Sequence, residues 1–284
     1  MSTISPVVAA KHRGGMPGFS GLQFIDLEEL GVAASPLAVL DDFRVGGIPF
    51  SPHPHAGFAA VTYVFEDSDG AVRSRSSSGV DLTVGPGGIV WTEAGSGVVH
   101  EEVPAVVRHE LHGMQLFVNL SGTNKLTPPR VLHLEPDEVP IWQGDGGDRV
   151  RVVVGTFGGL ASPLVPVEPF TLLDGELHRS ITVDVPEAHN TVVYVRSGAV
   201  VVGAGDDHVR VDGSHAVAIR GGGARVTIDA LEPAQILVLD GAEIVEPIVA
   251  EGPFIMSDSA QIRDAISRFQ SGAMGQLAPL PHEH

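Results

Sequence analysis

The chain has 284 residues, a length that favours about two domains, each able to bury an apolar core. Its 43% hydrophobic content excludes a disordered protein, and a net charge of −18 with only two lysines argues against nucleic acids or anionic membranes as partners. The absence of cysteine excludes disulfides and thiolate ligands, and the lack of a long apolar segment predicts a soluble, cytoplasmic protein.

Most of the chain is predicted to form short β-strands. Runs rich in Val, Ile, Thr and aromatic residues are separated by Gly, Asp, Ser and Pro about every ten residues, a spacing typical of β-sandwiches and barrels. Examples of the predicted strands are 60–65, 80–84, 88–91, 114–120, 150–154, 191–195, 199–202, 216–219 and 236–239.

One helix is predicted near the end of the chain. Asp258 lies in a sequence that can cap a helix over about 259–271, where apolar residues recur at helical spacing from Ile262 to Phe269. We expect this helix to dock on the second domain.

An internal repeat supports a division into two domains. The segment around Tyr63 matches the segment around Tyr194, and two further matches follow in the same order. These further matches pair 84–90 with 211–217 and 114–119 with 234–239. The repeat predicts an N-terminal domain over 1–137 and a C-terminal domain over 138–284 that ends in the helix.

Four side chains in two short segments point to a function: His53 and His55, then His100 and Glu102. Residues i and i+2 of a strand project from one face, so each pair offers two ligand atoms in one direction. Two such strands facing each other would enclose three imidazoles and one carboxylate, a set that suits first-row transition metals. The second repeat has no equivalent of the His53-Pro54-His55 motif, so only the first half is expected to bind metal.

These and neighbouring residues also have structural explanations that involve no metal. Because Pro52 and Pro54 cannot donate to a sheet, the two histidines they flank could belong to a polar edge strand. Glu101 should point away from the metal in a regular strand. Glu93 is assigned to a solvated loop, and a surface loop is also favoured for His109 and His112, with a place beside the metal site or in its pocket as the alternative. Residues His282, Glu283 and His284 are assigned to a frayed tail.

The sequence resembles the pirin family of the cupin superfamily. The resemblance rests on the following segments: Pro52-His53-Pro54-His55-Ala56-Gly57-Phe58, Val61-Thr62-Tyr63-Val64, Gly85-Pro86-Gly87, Trp91, 94–100, 115–120, 246–248 and 252–256. It implies an all-β fold of two tandem cupin-type β-barrels or sandwiches, a bicupin, with a C-terminal helix.

The resemblance also implies one divalent metal in the N-terminal domain, held by His53, His55, His100 and Glu102. Iron is the usual metal of the family, and manganese, cobalt, nickel, copper and zinc are the alternatives. Three residues depart from the family pattern without removing a ligand: Ala56, Ala59 and Asp42.

The resemblance leaves three functions open. Our leading hypothesis is an oxidoreductase of the quercetin 2,3-dioxygenase type, in which Glu102 is a metal ligand and a general base. A small aromatic substrate and dioxygen would meet beside Phe50, Phe58, Gln115 and Phe117. The second hypothesis is a non-catalytic, metal- or redox-sensing regulator that binds a protein partner, and the third is a structural bicupin with a closed metal site.

Overall fold

The computed structural model describes residues 2–14, 18–47, 50–106, 109–221, 223 and 225–280. The strands up to residue 134 are β1 Thr3–Ile4, β2 Val8–Ala9, β3 Lys11–His12, β4 Phe19–Phe24, β5 Leu37–Val45, β6 His53–His55, β7 Phe58–Val64, β8 Val72–Ser76, β9 Asp81–Val84, β10 Ile89–Glu93, β11 Val98–Pro104, β12 Leu111–Asn119 and β13 Arg130–Leu134. The strands after it are β14 Ile141–Gln143, β15 Arg149–Val154, β16 Thr156–Phe157, β17 Leu160–Ala161, β18 Phe170–Leu177, β19 Ser180–Asp184, β20 His189–Ser197, β21 Ala199–Ala204, β22 Asp207–Asp212, β23 His215–Arg220, β24 Arg225–Ala230, β25 Ala234–Ala242, β26 Val249–Glu251 and β27 Phe254–Met256. The helices are α1 Leu27–Leu30 and α2 Ser259–Gln270, with short 3-10 turns at Gly31–Ala34 and Pro136–Glu138.

The all-β fold with a C-terminal helix is confirmed, and α2 begins and ends within one residue of the predicted bounds. Asp258 caps α2 by accepting hydrogen bonds from the backbone N–H groups of Ala260 and Gln261. In the described part of the chain, no helix combines the length and the apolar character needed to cross a membrane.

The chain divides into two compact units. The N unit comprises 13–22, 41–136 and 245–284, and the C unit comprises 1–12, 23–40 and 137–244. The C unit resumes at Asp137 and also contains the N-terminal segment, whereas the C-terminal segment belongs to the N unit. The expectation that α2 docks on the second domain is therefore wrong, because Ile262 and Ala265 pack against Ala56 and Val99 of the N unit.

In the N unit, two antiparallel sheets enclose the core. One has the order β6-β11-β8-β9, and the central part of the other has the order β13-β10-β7-β12-β5. Strand β6 lies at an edge, which is where the prolines at 52 and 54 can be accommodated without losing ladder hydrogen bonds. Strand β7 lies between β10 and β12, and all seven of its residues are buried.

In the C unit, two sheets of corresponding order enclose a wholly aliphatic core. The larger sheet has the order β1-β23-β20-β25-β18-β15-β14, and the smaller has β19-β24-β21-β22. Twenty buried residues, all of them Val, Leu, Ile or Ala, form one cluster between them. Burial of this apolar surface supplies most of the stability of such a sandwich.

The internal repeat is visible in the strand pairing. Tyr63 lies opposite Ile89 and Met114, and in the C unit the residues opposite Tyr194 are Ala216 and Leu237. The first two matched segments of the repeat therefore correspond as predicted. The third match is wrong by three residues, because Met114 corresponds to Leu237 and not to Ala234.

Candidate metal centre

Three histidines from two neighbouring strands meet inside the N unit. Strand β6 pairs with β11 so that His53 lies opposite His100 and His55 lies opposite Val98. The histidines at 53, 55 and 100 offer ligand nitrogens that all lie within 4.8 Å of one another, and their ring centroids are 4.7 to 4.8 Å apart. Two residues of a strand and one residue of its partner thus converge because both strands present the same face to the interior.

The surroundings keep these imidazoles neutral. Burial lowers the pKa of His55 to about 3, with a further lowering from His53, while a hydrogen bond to the Pro253 carbonyl acts in the opposite direction. Burial also lowers the pKa of His100 well below its usual value, and repulsion from the other two rings adds to this effect. The pKa of His53 is lowered by burial as well. Neutral imidazoles have a free lone pair, which metal ligation requires.

The residues fit a divalent transition metal. His53 Nδ1 lies 2.9 Å from the Ser51 carbonyl, to which its N–H donates, so Nε2 is left as the ligand atom. In the described part of the chain, Nδ1 of His55 and Nδ1 of His100 are buried and have no hydrogen-bond partner. Buried nitrogens without partners are costly, and two such rings next to the free Nε2 of His53 are the arrangement that an ion would satisfy.

Glu102 occupies a different position from the three imidazoles. It lies on the same face of β11 as His100, but its carboxylate is not among the ligand atoms that meet within 4.8 Å. Its Oε2 accepts a hydrogen bond of 2.5 Å from the Thr62 hydroxyl, and its Oε1 accepts one of 3.1 Å from the Ser74 hydroxyl. Burial raises the pKa of Glu102, whereas the two hydroxyls lower it by stabilising the ionised form.

Gln115 lies behind this carboxylate. Its Oε1 lies 3.2 Å from the Thr62 hydroxyl, which shares its one proton between this oxygen and the nearer Glu102 carboxylate, and its Nε2 donates to the Val61 carbonyl at 3.0 Å. The residue expected to be a polar anchor of the pocket therefore supports the side chain that holds Glu102.

The sequence analysis missed Thr62 and Ser74. For Ser74 a signal exists: in Arg73-Ser74-Arg75-Ser76 the arginines alternate with serines, and the serines lie on the buried face of β8. For Thr62 there is no such signal, since β7 is buried on both faces and its residues do not alternate in polarity.

Aromatic rings flank the histidines. The Phe58 and Phe117 rings lie 5.0 and 5.3 Å from the His55 ring and 4.5 Å from each other. The Phe50 ring lies 5.8 Å from the His53 ring, and Phe50 is 48% exposed. Phe58 is fully buried and Phe117 is partly buried, whereas Phe50 lies on the accessible side.

Two acidic residues near the site are buried in ion pairs. Glu101 points away from the histidines, as the alternation predicts, and pairs with Arg75 at 2.8 Å. The assignment of Glu93 to a solvated loop is wrong, because it lies in β10, is 2% exposed and pairs with Arg130 at 2.5 Å.

His112 was also expected in a solvated loop, and this is wrong. It lies in β12, is buried, and has Asp42 on one ring nitrogen at 3.0 Å and Asp67 on the other at 3.1 Å. Asp42, one of the departures from the family pattern, thus has a structural partner. His109 is exposed and pairs with Asp69, whereas residues 282–284 lie outside the described residues.

The C unit has aliphatic residues where the N unit has this site. Strand pairs β19–β24 and β24–β21 correspond to β6–β11 and β11–β8, and the registers of the pairs match. The equivalents are Val183 for His53, Val226 for His100, Ile228 for Glu102, Val202 for Ser74 and Val193 for Thr62. All five belong to the aliphatic core of the C unit. In the described part of that unit, no group of three potential metal ligands is found.

Comparisons with known proteins agree with this architecture. The pirin family model matches residues 8–118, and the model for the pirin C-terminal cupin domain matches residues 172–275. A pirin-like protein of Caulobacter vibrioides is 35% identical and covers 84% of this chain, with 86% of its own length matched. Human pirin is 30% identical over 84% of this chain and 83% of its own length.

Solved structures show the same fold. The structure of a quercetin 2,3-dioxygenase from Acinetobacter baumannii superposes with a TM-score of 0.85 at 30% identity and covers 97% of this chain and 99% of its own. A bacterial pirin from Escherichia coli in complex with nickel(II) superposes with a TM-score of 0.63 at 20% identity, covering 86% of this chain and all of its own. The chain belongs to the pirin family of cupin proteins.

Proposed function

We propose that this protein is a metal-dependent dioxygenase of the quercetin 2,3-dioxygenase type, which acts on a flavonol or a similar hydroxylated aromatic molecule. The observation that supports it most is the group of three neutral imidazoles within 4.8 Å of one another, next to a carboxylate held by two hydroxyls. The similarity to the Acinetobacter baumannii enzyme supports the same reaction class.

His53, His55 and His100 would hold the ion, and Glu102 would be the fourth ligand. Iron is the proposed metal, and nickel is supported as an alternative by the complex of the Escherichia coli pirin. The ion would supply Lewis-acid and redox chemistry at a site open to an acidic hydroxyl and to dioxygen.

The chain's own residues would bind and orient the substrate. The rings of Phe58 and Phe117 form an apolar wall against His55 and would exclude water from one side of a planar ring. Phe50, at the accessible side, would contact the part of the substrate nearest to solvent. The positions of these rings favour an aromatic substrate over a small polar one.

Glu102 would act as the general base. Burial raises the pKa of Glu102 and so makes the carboxylate a stronger base, while Thr62 and Ser74 hold it in place to accept a proton from the hydroxyl of the substrate. Gln115, which contacts Thr62, would hold the hydroxyl of the substrate in place.

The test is anaerobic mixing of a flavonol with protein loaded separately with Fe, Mn, Co, Ni or Cu, followed by addition of oxygen. We expect loss of the flavonol absorbance and release of carbon monoxide in proportion to the bound metal. His100→Ala should abolish both, while His133→Ala, a change at an exposed histidine of β13, should not. Oxygen-dependent consumption that is equal with and without metal, or no consumption with any of the five metals, would contradict the proposal.

One observation favours the second candidate, a non-catalytic regulator. Phe50 is half exposed and its ring contacts His53. A change at the metal would therefore alter the position of this ring at the surface of the N unit. This candidate requires metal binding without turnover, together with a change in the exposure of Phe50 between the metal-loaded and metal-free states. Surface labelling of that ring in both states distinguishes it from the enzyme.

A further inference from the structure

One of the two lysines of the chain is completely buried. Lys125 has no exposed surface, and its Nζ donates to the carbonyls of Gly57 and Ile255, both at 3.0 Å, and to Oδ1 of Asn119. These three acceptors match the three N–H donors of an ammonium group. Burial of a cation is costly unless the cation is fully hydrogen-bonded. Packing alone therefore does not explain a lysine at this position, since a neutral side chain would avoid that cost.

The acceptors of Lys125 adjoin His55 in sequence or in space. Gly57 follows His55 by two residues, and Asn119 lies opposite Phe58 in the ladder of β7 and β12. Ile255 is two residues from Pro253, whose carbonyl accepts a hydrogen bond from the His55 ring. One amino group therefore ties the bend that follows His55 to strand β27, which begins directly after Pro253.

The backbone of β27 approaches Gly57 too closely for any other residue. Gly57 has φ of +85°, and a Cβ at this position would lie 1.9 Å from the Ile255 oxygen. The Ile255 N–H donates to the Ala56 carbonyl at 3.1 Å, so the two backbones are in direct contact. Lys125 binds the carbonyl oxygens on both sides of this contact and holds them together.

The loop that carries Lys125 also reaches the turn before His100. The Gly57 N–H donates to the Gly95 carbonyl at 2.8 Å, and the Ser96 N–H donates to the Thr127 carbonyl at 2.8 Å. A Cβ on Gly95 would lie 2.1 Å from the Thr127 oxygen. The loop therefore contacts the turn from which β11 starts.

From these contacts we propose that Lys125 is a positioning residue that sets the placement of the His55 and His100 imidazoles relative to each other. This inference rests on the proposed metal site. Since coupling between two sites is reciprocal, a metal ion bound by the imidazoles must in turn make Lys125 harder to expose. Lys11, the other lysine, is exposed in ion pairs with Asp26 and Glu29 and provides a matched control.

The first experiment measures the rate at which an amine-acetylating reagent modifies each lysine, by peptide mass spectrometry, in the metal-free and Co(II)-loaded protein. We expect Lys11 to react at the same rate in both states. Lys125 should react far more slowly than Lys11, and about tenfold or more slowly again with Co(II) bound. Equal Lys125 rates with and without Co(II) would overturn the coupling.

The second experiment compares Lys125→Met with Lys11→Met by Co(II) titration and by the visible d–d spectrum of the bound Co(II), which reports ligand geometry. We expect the first variant to lose about 10- to 100-fold in Co(II) affinity with altered bands, and the second to match the unmodified protein. Asn119→Ala removes one acceptor and keeps the lysine, so it should show a smaller loss of Co(II) affinity and a smaller shift of the bands. It replaces Lys125→Met as the test variant if Lys125→Met does not fold.

The outcomes separate this inference from the proposed function. A folded Lys125 variant with unchanged Co(II) affinity and spectrum overturns the positioning role, whatever the activity. Failure of the unmodified protein to bind Co(II) overturns both proposals. Coupled Co(II) binding and Lys125 protection without any flavonol turnover leaves the positioning role established and overturns the dioxygenase.

Discussion

Thr62 donates a 2.5 Å hydrogen bond to Glu102, across the interior of the N unit from β7 to β11. Both groups occupy positions that hold aliphatic residues, Val193 and Ile228, in the core of the C unit. The hydrogen bond to the Glu102 carboxylate therefore compensates the Thr62 hydroxyl for the contact with water that it loses on burial.

Thr62→Val should lower the free energy of unfolding by about 1.5 to 3 kcal/mol, because the ionised carboxylate loses a donor. Thr92→Val is the matched control: its hydroxyl in β10 is also buried but, within the described residues, has no hydrogen-bond partner. That change should be close to neutral. Urea unfolding of both variants measures the difference, and equal losses would show that the hydrogen bond contributes nothing.

Replacement of His55 or His100 by Ala should abolish high-affinity metal binding while the protein still folds. The apolar sandwich supplies most of the stability, and without an ion the buried Nδ1 atoms of His55 and His100 have, among the described residues, no hydrogen-bond partner to lose. Isothermal titration with Co(II) and circular dichroism measure the two properties. Global unfolding of either variant without metal would contradict this expectation.

Asp41 should make stability fall as the pH rises from about 4 to 7. Burial raises its pKa from 3.8 to about 6, against a smaller lowering by Arg13. A carboxyl group with a raised pKa favours the folded state below its unfolded pKa, and that contribution is lost as pH rises through the folded value.

Asp41→Asn should remove this dependence. A pKa difference of about 2 corresponds to about 3 kcal/mol, which partial exposure of the side chain reduces to about 1 to 2 kcal/mol. At pH 7.5 the variant should be more stable than the parent by that amount, and at pH 3.5 the two should be equal. Denaturant unfolding at both pH values checks the sign, and a variant that is less stable at pH 7.5 would refute it.

Gly57→Ala should be much more damaging than Gly79→Ala. Both glycines have a positive φ, +85° and +89°, so each substitution carries the same backbone strain of about 1 to 2 kcal/mol. Only at Gly57 would the new Cβ meet a backbone oxygen, whereas nothing lies within 4 Å of the equivalent point at Gly79.

The difference between the two glycine variants therefore isolates the contact with β27. We expect Gly57→Ala to unfold at a lower urea concentration than Gly79→Ala and to expose the C-terminal segment to proteolysis. Similar unfolding midpoints for the two variants would mean that β27 can move away at little cost.

Local pattern was sufficient for α2, for the first two matches of the repeat, and for the nine strands between β7 and β25 that the predicted runs overlap. Each depends on residues close together in the chain: alternation along a strand, helical spacing from Ile262 to Phe269, and a capping Asp258. Strands β1 and β2 were missed because they contain two residues each, too few to show a period. They form through their pairing with β23, more than 200 residues away.

By itself, then, the sequence determined the all-β repeat and the face of the strand that carries His53 and His55, because strand alternation is a local property of two residues. Only the tertiary structure decided that Glu102 meets Thr62 and Ser74, that Lys125 lies between Gly57 and Ile255, and that the chain ends exchange units. The physical reason is that these contacts depend on which strands pair and in which register. Pairing and register are set by the total burial of the core and by hydrogen bonding over long separations in the chain.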